Sequence, residues 1–378
     1  MHYIAYSENA LSSIFMQTSL NFNLLLRQPR RDTAMNATHA TTSPPERFNF
    51  AQHLFARNTV RSDKIAYIDD HGTLSFATLE DRARRLASAL TAMGIRRDER
   101  ILLLMHDCND WPVIFLGALY AGVVPVAVNT LLSADDYAYM LTHSRARAAF
   151  ISPALMPTLL AAKRLGGNDL REIICSGASA CNVADGVAVG YALEILLLLQ
   201  TPAVSAVDTS ADEPGFWLYS SGSTGRPKGT VHTHGNLYWT AALYAEPILG
   251  LTEKDVCFSA AKLFFAYGLG NGLSFPLSVG ATTILMAERP TPDACFKRFI
   301  AAAEQKPTVF FGAPTGYAGM LASPNLPTRE QVALRMCSSA GEALPREIGE
   351  KFTARFGAEI IDGIGSTEML HIFLSTGR

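Results

Sequence analysis

The sequence predicts an α/β fold of mostly parallel strands covered by helices, and three observations predict it. Apolar runs of strand length, such as Arg100–Met105, Val123–Val128 and Ala148–Ile151, alternate with helix-length amphipathic segments. Turn-forming residues separate them, as in Asp70-His71-Gly72 and at Gly94. With 378 residues, of which 48% are hydrophobic and 17% charged, the chain can bury one large core or two smaller ones.

Residues 1–46 read as a disordered extension without periodic pattern, with Met35 as an alternative start and Asn36 to Glu46 as a polar leader into the fold. Asn49 to Asn58 then predicts a short helix, and Ile65–Ile68 and Thr73–Ser75 predict strands joined through Asp70-His71-Gly72. Phe76 to Met93 predicts a helix, because Phe76, Leu79, Ala83, Leu86, Leu90 and Met93 recur on one face while Glu80, Arg82, Arg84 and Arg85 fall elsewhere. Gly94 ends it. Strand Arg100–Met105, helix Trp111–Ala121, strand Val123–Val128, helix Ala134–His143 and strand Ala148–Ile151 follow, an order that implies a parallel sheet. Between Ile174 and Pro202 only a buried helix over Tyr191–Leu199 is assigned. The polar connector Asp208–Pro214 divides the fold into expected subdomains of about 47–207 and 208–378. Beyond it, Gly215–Tyr219 predicts a buried strand and Asn236–Ala245 a helix. Strands near Cys257, Ile284, Val309, Leu334 and Ile360 alternate with helices beginning near Gly270, Pro292, Pro314 and Leu344.

Charge and cysteine usage exclude several classes. A net charge of -2 gives no reason to expect nucleic acid or an anionic membrane as partner. No apolar run reaches the roughly 18 residues of a membrane span: Val113–Val128 is broken by glycines and Pro125, and Ile195–Leu199 is too short. Cys108, Cys175, Cys181, Cys257, Cys295 and Cys337 include no Cys-x-x-Cys pair, so their spacing indicates neither a zinc site nor a disulfide framework. A cytoplasmic protein is the simplest reading, and the oligomeric state is left open.

Chemistry concentrates in Ser220-Ser221-Gly222-Ser223-Thr224-Gly225-Arg226-Pro227-Lys228-Gly229, which follows an apolar, aromatic strand. Glycines let backbone amides converge on oxyanions, the hydroxyls add donors, and Lys228 supplies a point charge. The run is no Walker loop, because Pro227 stands where the second glycine belongs and Gly229 follows the lysine. It also lacks the Gly-x-Ser-x-Gly of a hydrolase elbow. Taken alone, a Ser/Gly run also fits a flexible linker. The strand before it and Arg226-Pro227-Lys228 favour a polyphosphate site, and so an enzyme that uses ATP.

Tyr219 to Gly229 resembles the phosphate-binding signature of the acyl-adenylate-forming family. Ser338-Ser339-Ala340-Gly341-Glu342-Ala343-Leu344-Pro345 and Asp362-Gly363-Ile364-Gly365-Ser366-Thr367-Glu368 resemble two further motifs of that family, in the same order. The resemblance runs from Arg47 to the end. It implies stacked αβαβα layers with two mostly parallel sheets, the large N-terminal domain of the adenylate-forming fold, without the small C-terminal domain. It implies activation of a carboxylate by ATP to an acyl-adenylate, then transfer to CoA, with Mg2+ bridging the phosphates.

By position in the motifs, Ser220, Ser221, Gly222, Ser223, Thr224, Gly225 and Lys228 would hold the β- and γ-phosphates, and Thr367 the α-phosphate. Glu368 would hold Mg2+, and Lys228, Thr367 and Glu368 would form the catalytic set. Gly341 and Glu342, with Asp362, Gly363, Ile364, Gly365 and Ser366, would flank the nucleotide. Ile364 stands where many relatives carry a tyrosine, so the purine would meet an aliphatic face. Outside the motifs, a glutamate after Ser-Thr reads as a helix-start carboxylate, and Ser338–Pro345 as a helix-capping turn.

The segment Lys262–Asn271 aligns with the family's aromatic gate. Ala266, Tyr267 and Gly268, with Gly312, Ala313, Ile364 and His371, would then form the acid pocket and make the chain most like benzoate- and hydroxybenzoate-CoA ligases. The partners implied are a small aromatic carboxylic acid, ATP and CoA. Read without the resemblance, the aromatics fit a core equally well and His371 fits a structural histidine. His232 and His234 read as polar surface residues. A stand-alone adenylation domain loading a carrier-protein thiol, or a silent nucleotide- or acid-binding module, would share these motifs. Because the chain ends before the family's small domain, weak ATP binding and slow adenylation are expected.

Overall fold

A computed structural model describes residues 42–177, 191–220, 225–302 and 305–376. The extension expected over 1–46 lies almost wholly outside them, as do the predicted phosphate-loop residues Ser221, Gly222, Ser223 and Thr224. Residues Ser43–Arg378 form one compact unit.

Local signals set the first elements. Asn49 caps the helix Phe50–Asn58 by accepting from the Gln52 amide, and Ser75 caps Phe76–Ala92 by accepting from the Thr78 amide. The face of Phe76–Ala92 expected to be apolar is buried. Helix Asp110–Tyr120 is buried all round from Trp111 onward, as a helix between two layers must be. At Gly117 a Cβ would lie 2.7 Å from the Ala83 carbonyl oxygen, so the missing side chain lets this helix cross Phe76–Ala92 closely.

Fifteen strands, among the described residues, make two sheets. The strands are β1 (Ile65–Asp69), β2 (Gly72–Ser75), β3 (Arg100–Leu104), β4 (Val124–Ala127), β5 (Ala148–Ile151), β6 (Glu172–Cys175), β7 (Tyr191–Ala192) and β8 (Pro214–Ser220). After them come β9 (Lys228–Thr233), β10 (Val256–Ser259), β11 (Thr282–Ile284), β12 (Val309–Gly312), β13 (Met336–Ser339), β14 (Glu359–Gly365) and β15 (Ile372–Ser375). One sheet has the order β7-β6-β5-β3-β4-β8-β9 and the other β15-β14-β13-β12-β10-β11-β1-β2. Pairing is parallel except at the edge strands β9, β2 and β15. The α/β class and the two mostly parallel sheets match the fold expected. The sheets draw on both sides of residue 208, since β1 and β2 join the second and β8 and β9 join the first.

Helices Ala134–Ser144 and Met156–Arg164 cover the outer face of the first sheet through Tyr137, Met140, Leu141 and Leu159. Helices Pro292–Phe299, Pro314–Ala322 and Arg346–Phe356 cover the outer face of the second through Phe299, Tyr317 and Phe352. A core that includes Leu54, Leu86, Trp111, Phe115, Phe216 and Leu273 fills the space between. Five layers result, αβαβα.

Three expectations need correction. The helix assigned over Tyr191–Leu199 is strand β7 followed by helix Leu193–Leu198, and it buries only Leu193 and Leu197. That i, i+4 pair faces Phe76–Ala92, leaving Ile195, Leu198 and Leu199 exposed. Cys175 is disulfide-bonded, which the scattered cysteine spacing did not indicate. Strands β6, β9 and β15 and helix Met156–Arg164 are further elements that the apolar pattern did not mark. No described helix is long and apolar enough to cross a membrane.

Candidate active site

The site is assembled from loops at the strand ends of both sheets. Strands β8 and β9 form a hairpin in which Ser220 pairs with Lys228, and residues directly opposite in an antiparallel pair project to the same face. Gly225 adopts φ 86, a left-handed conformation that favours glycine. Arg226 lies over the Tyr139 ring, 5.0 Å from its centroid, and docks the returning arm of the loop on helix Ala134–Ser144.

From the second sheet, β14 delivers Asp362, Gly363, Ile364 and Gly365, and the turn to β15 carries Ser366, Thr367 and Glu368. The turn is tight: the Met369 amide donates to Ser366 Oγ at 3.2 Å, and the Leu370 amide to the Thr367 carbonyl at 3.1 Å. Leu370 takes φ 66, the strained position of the turn. Ser220 Oγ donates to Glu368 Oε1 at 3.0 Å, across 148 residues of sequence. The glutamate's own backbone amide and that hydroxyl hold its carboxyl below the usual range, so it is an anion at neutral pH. The strand position of Lys228 therefore lies beside Ser220, which meets the turn that carries Thr367 and Glu368.

Gly341, Glu342, Asp362, Gly363, Ile364 and Gly365 line one cavity of about 550 Å3 with Ala343 and residues 374–376. Gly341 has φ 101, so the wall depends on a glycine there. Asp362 Oδ2 accepts the Leu344 amide at 3.2 Å, and its Oδ1 is buried without a hydrogen-bond partner. Glu342 Oε1 accepts from the Thr315 amide at 3.1 Å and from its hydroxyl.

Thr315 faces a second, mostly apolar cavity of about 400 Å3, whose lining includes Ala260, Ala261, Tyr267, Gly312, Ala313, Gly319 and Met320. Its floor is the carboxyl ends of β10 and β12, the neighbours from which the chain departs in opposite directions, where α/β sheets bind ligands. Of the residues expected to form an acid pocket, Tyr267, Gly312 and Ala313 line this cavity, whereas Ile364 lines the first.

Ala266, Gly268 and His371 lie behind Tyr267. Ala266 belongs to the central core. At Gly268 a Cβ would stand 2.0 Å from the Lys262 carbonyl oxygen, so only glycine fits. His371 is buried against the rings of Tyr244, Tyr267 and Phe275, with Nε2 3.1 Å from Asn271 Oδ1. Burial pushes its pKa down to about 3, so it is neutral. Asp107 adds a support that sequence reasoning missed. Its carboxylate, 4% exposed, accepts the Leu263 amide at 3.2 Å and so fixes the start of the aromatic segment. Burial raises its pKa to about 7.

A third cavity of about 590 Å3 opens beside Glu368, walled by Trp239, Leu243, Ile248, Met369 and Phe373. Trp239 and Leu243, an i, i+4 pair, were the available signal for it. His232 and His234 are not surface residues as expected. Each is 1% exposed, because Phe216 stacks on His232 and the Phe50 amide donates to His234 Nδ1.

No group of three or more His, Cys, Asp or Glu side chains that could hold a metal occurs among the described residues. An ionised carboxylate beside Ser220, at the end of β8, nonetheless fits Mg2+, which is commonly bound by one or two carboxylates together with substrate phosphates and water.

A family model described as AMP-binding enzyme matches residues 54–378. A benzoate–CoA ligase from Thauera aromatica is 51% identical over 348 residues, covering 90% of this chain and 63% of that protein. A 4-hydroxybenzoate–CoA/benzoate–CoA ligase from Rhodopseudomonas palustris is 42% identical over 340 residues, covering 88% and 60%. Among solved structures, a benzoate CoA ligase from Burkholderia xenovorans LB400 matches with a TM-score of 0.79 at 59% identity, covering 87% of this chain and 63% of that one. The N-terminal domain of FACL13 from Mycobacterium tuberculosis matches with a TM-score of 0.73 at 24% identity, covering 85% and 76%, a likeness of fold. This chain thus spans about three-fifths of the length of these two ligases.

Proposed function

We infer a function from one premise, that this chain belongs to the AMP-binding enzyme family. It binds ATP and an aromatic carboxylic acid, benzoate or a hydroxybenzoate, and joins them as an acyl-adenylate with release of pyrophosphate. As part of an aryl-CoA ligase it then supports displacement of AMP by the thiol of CoA. The observation that carries this reading is the 3.0 Å hydrogen bond from Ser220 to Glu368, which joins the phosphate-loop hairpin to the acidic turn.

A carboxylate is a poor electrophile until its oxygen is turned into a leaving group, and attack on the α-phosphate of ATP does this. Negative charge then gathers on the phosphate oxygens, so fixed donors and cations lower the barrier. Lys228 lies on the same face of the hairpin as Ser220 and meets the outer phosphates. The Thr367 hydroxyl bonds the α-phosphate. Glu368 would hold Mg2+, which when bound neutralises the triphosphate. Gly341, Glu342 and Asp362 border the cavity assigned to the adenosine, and Tyr267, Gly312 and Ala313 that assigned to the ring.

The aromatic class is supported by the substrates of the two ligases and by a mostly apolar cavity of about 400 Å3, near the small end of the roughly 300–1,000 Å3 typical of ligand pockets. Exchange of labelled pyrophosphate into ATP tests the reading. The chain should catalyse exchange that depends on benzoate and Mg2+. ATP that binds with no benzoate-stimulated exchange would leave a binding module instead, and no binding of Mg–ATP would overturn the reading.

A further inference from the structure

His232 sits on β9, on the strand that begins with Lys228, and is one of the least exposed polar residues of the site. Its ring is fixed on three sides. The Phe216 ring stacks on it with centroids 5.1 Å apart and planes at 25°. Asn236 Nδ2 lies 3.1 Å from Nδ1, and the Thr367 carbonyl oxygen lies 2.8 Å from Nε2.

The direction of these bonds follows from their ends. Thr233 Oγ1 donates to Asn236 Oδ1 at 3.1 Å, which turns the amide NH2 toward His232. An amide NH2 only donates and a carbonyl only accepts, so Nδ1 keeps its lone pair and Nε2 carries the hydrogen. A chain of donors thus runs from Thr233 through Asn236 and His232 to the Thr367 carbonyl.

That carbonyl belongs to the peptide joining Thr367 to Glu368, and it also accepts the Leu370 amide at 3.1 Å. Two donors from different directions fix the plane of a peptide. Fixing this one sets where the Thr367 hydroxyl and the Glu368 carboxylate point. The His232 donor comes from the first sheet and the acceptor from the second, 135 residues away. With the Ser220–Glu368 bond, it ties the Lys228 hairpin to this turn among the described residues.

We propose that His232 is a positioning residue for the nucleotide site, whose Nε2–H holds the Thr367–Glu368 peptide in register with Lys228. The assignment rests on the ligase reading for what the turn binds, but not for the strut itself.

His232→Phe keeps a ring against Phe216 and removes the donor, while His232→Gln keeps a donor. Amide hydrogen exchange without nucleotide, thermal unfolding and the Mg–ATP dissociation constant would be measured for both variants and the unaltered chain. Loss of a bond to a part-buried acceptor predicts exchange over residues 364–370 about tenfold faster in the Phe variant, and Mg–ATP binding about tenfold weaker. The Gln variant should recover most of both. Unchanged exchange over 364–370 in the Phe variant overturns the proposal. So does faster exchange spread evenly over the molecule, which is what a packing role would give. If none of the three proteins binds Mg–ATP, the ligase reading fails while the exchange data still decide the strut. Nitrogen-15 NMR of the unaltered chain at neutral pH should find His232 with hydrogen on Nε2 alone, and hydrogen on Nδ1 overturns the proposal however the variants fold.

Discussion

Single residues divide into those whose role follows from type and spacing and those defined by what surrounds them. Glu368 is of the first kind. Its substitution by Gln removes the charge and keeps the shape, so Mg–ATP affinity should fall roughly ten- to a hundredfold, the range for a hydrogen-bonded charge. Benzoate affinity, measured by calorimetry, should hold; an equal loss of both would remove the proposed metal role. Asp107 is of the second kind, for nothing in its sequence context marks it. Its folded pKa of about 7 stands above the ordinary 3.8, so the proton is held more tightly in the folded state. Stability from this group is complete below the ordinary pKa and is lost as pH rises toward 7. Asp107→Asn should therefore melt higher than the unaltered chain above neutrality, and the gap should close as pH falls toward 4. A gap independent of pH would show that Asp107 does not titrate in this window. His232 and His234 read as polar surface residues because nothing near them in the sequence records the Phe216 ring that stacks on one or the Phe50 amide that meets the other.

At the scale of elements, caps and periodicity were readable and close approaches were not. Ser133 and Asp136 form a reciprocal capping box on helix Ala134–Ser144. Ser133→Ala should cost about 1 kcal/mol in urea unfolding. It should leave ligand binding unchanged, since no site cavity touches that cap. Gly268→Ala should act differently. The added carbon has no room beside the Lys262 carbonyl, so it should cost about 1–3 kcal/mol by overpacking. It should also shift Tyr267 and weaken aromatic-acid binding more than Mg–ATP binding. Strand β9 escaped the sequence reading because Lys228–Thr233 is polar at most positions and is a strand only by pairing with β8. Strand β15 is four residues long and pairs only with β14. The π-helical turns Ala241–Ala245 and Gly270–Ser274 follow from packing and have no local signature.

The whole molecule should weaken in acid. Burial holds His53 and His234 down to about 4 and His371 to about 3, against an ordinary 6.5. These groups stay neutral in the folded state and take up protons on unfolding. Their stabilisation is present above 6.5 and is lost as pH falls through the folded values, opposed only in part by Asp107. Urea midpoints should fall steadily from pH 6.5 to about 4; flat midpoints there would mean that the three rings are not buried in solution. By itself the sequence determined the α/β class, most of the helices and strands, and the positions of the Ser/Gly-rich and acidic motifs. Those depend on periodicity, turn residues and short spacings that act within a few residues. Only the tertiary structure decided that Ser220 meets Glu368, that His232 meets Thr367 and that Asp107 holds Leu263, because these contacts join loops of two different sheets. Strand order and layer packing bring such loops together, and no local interaction records the distance between them.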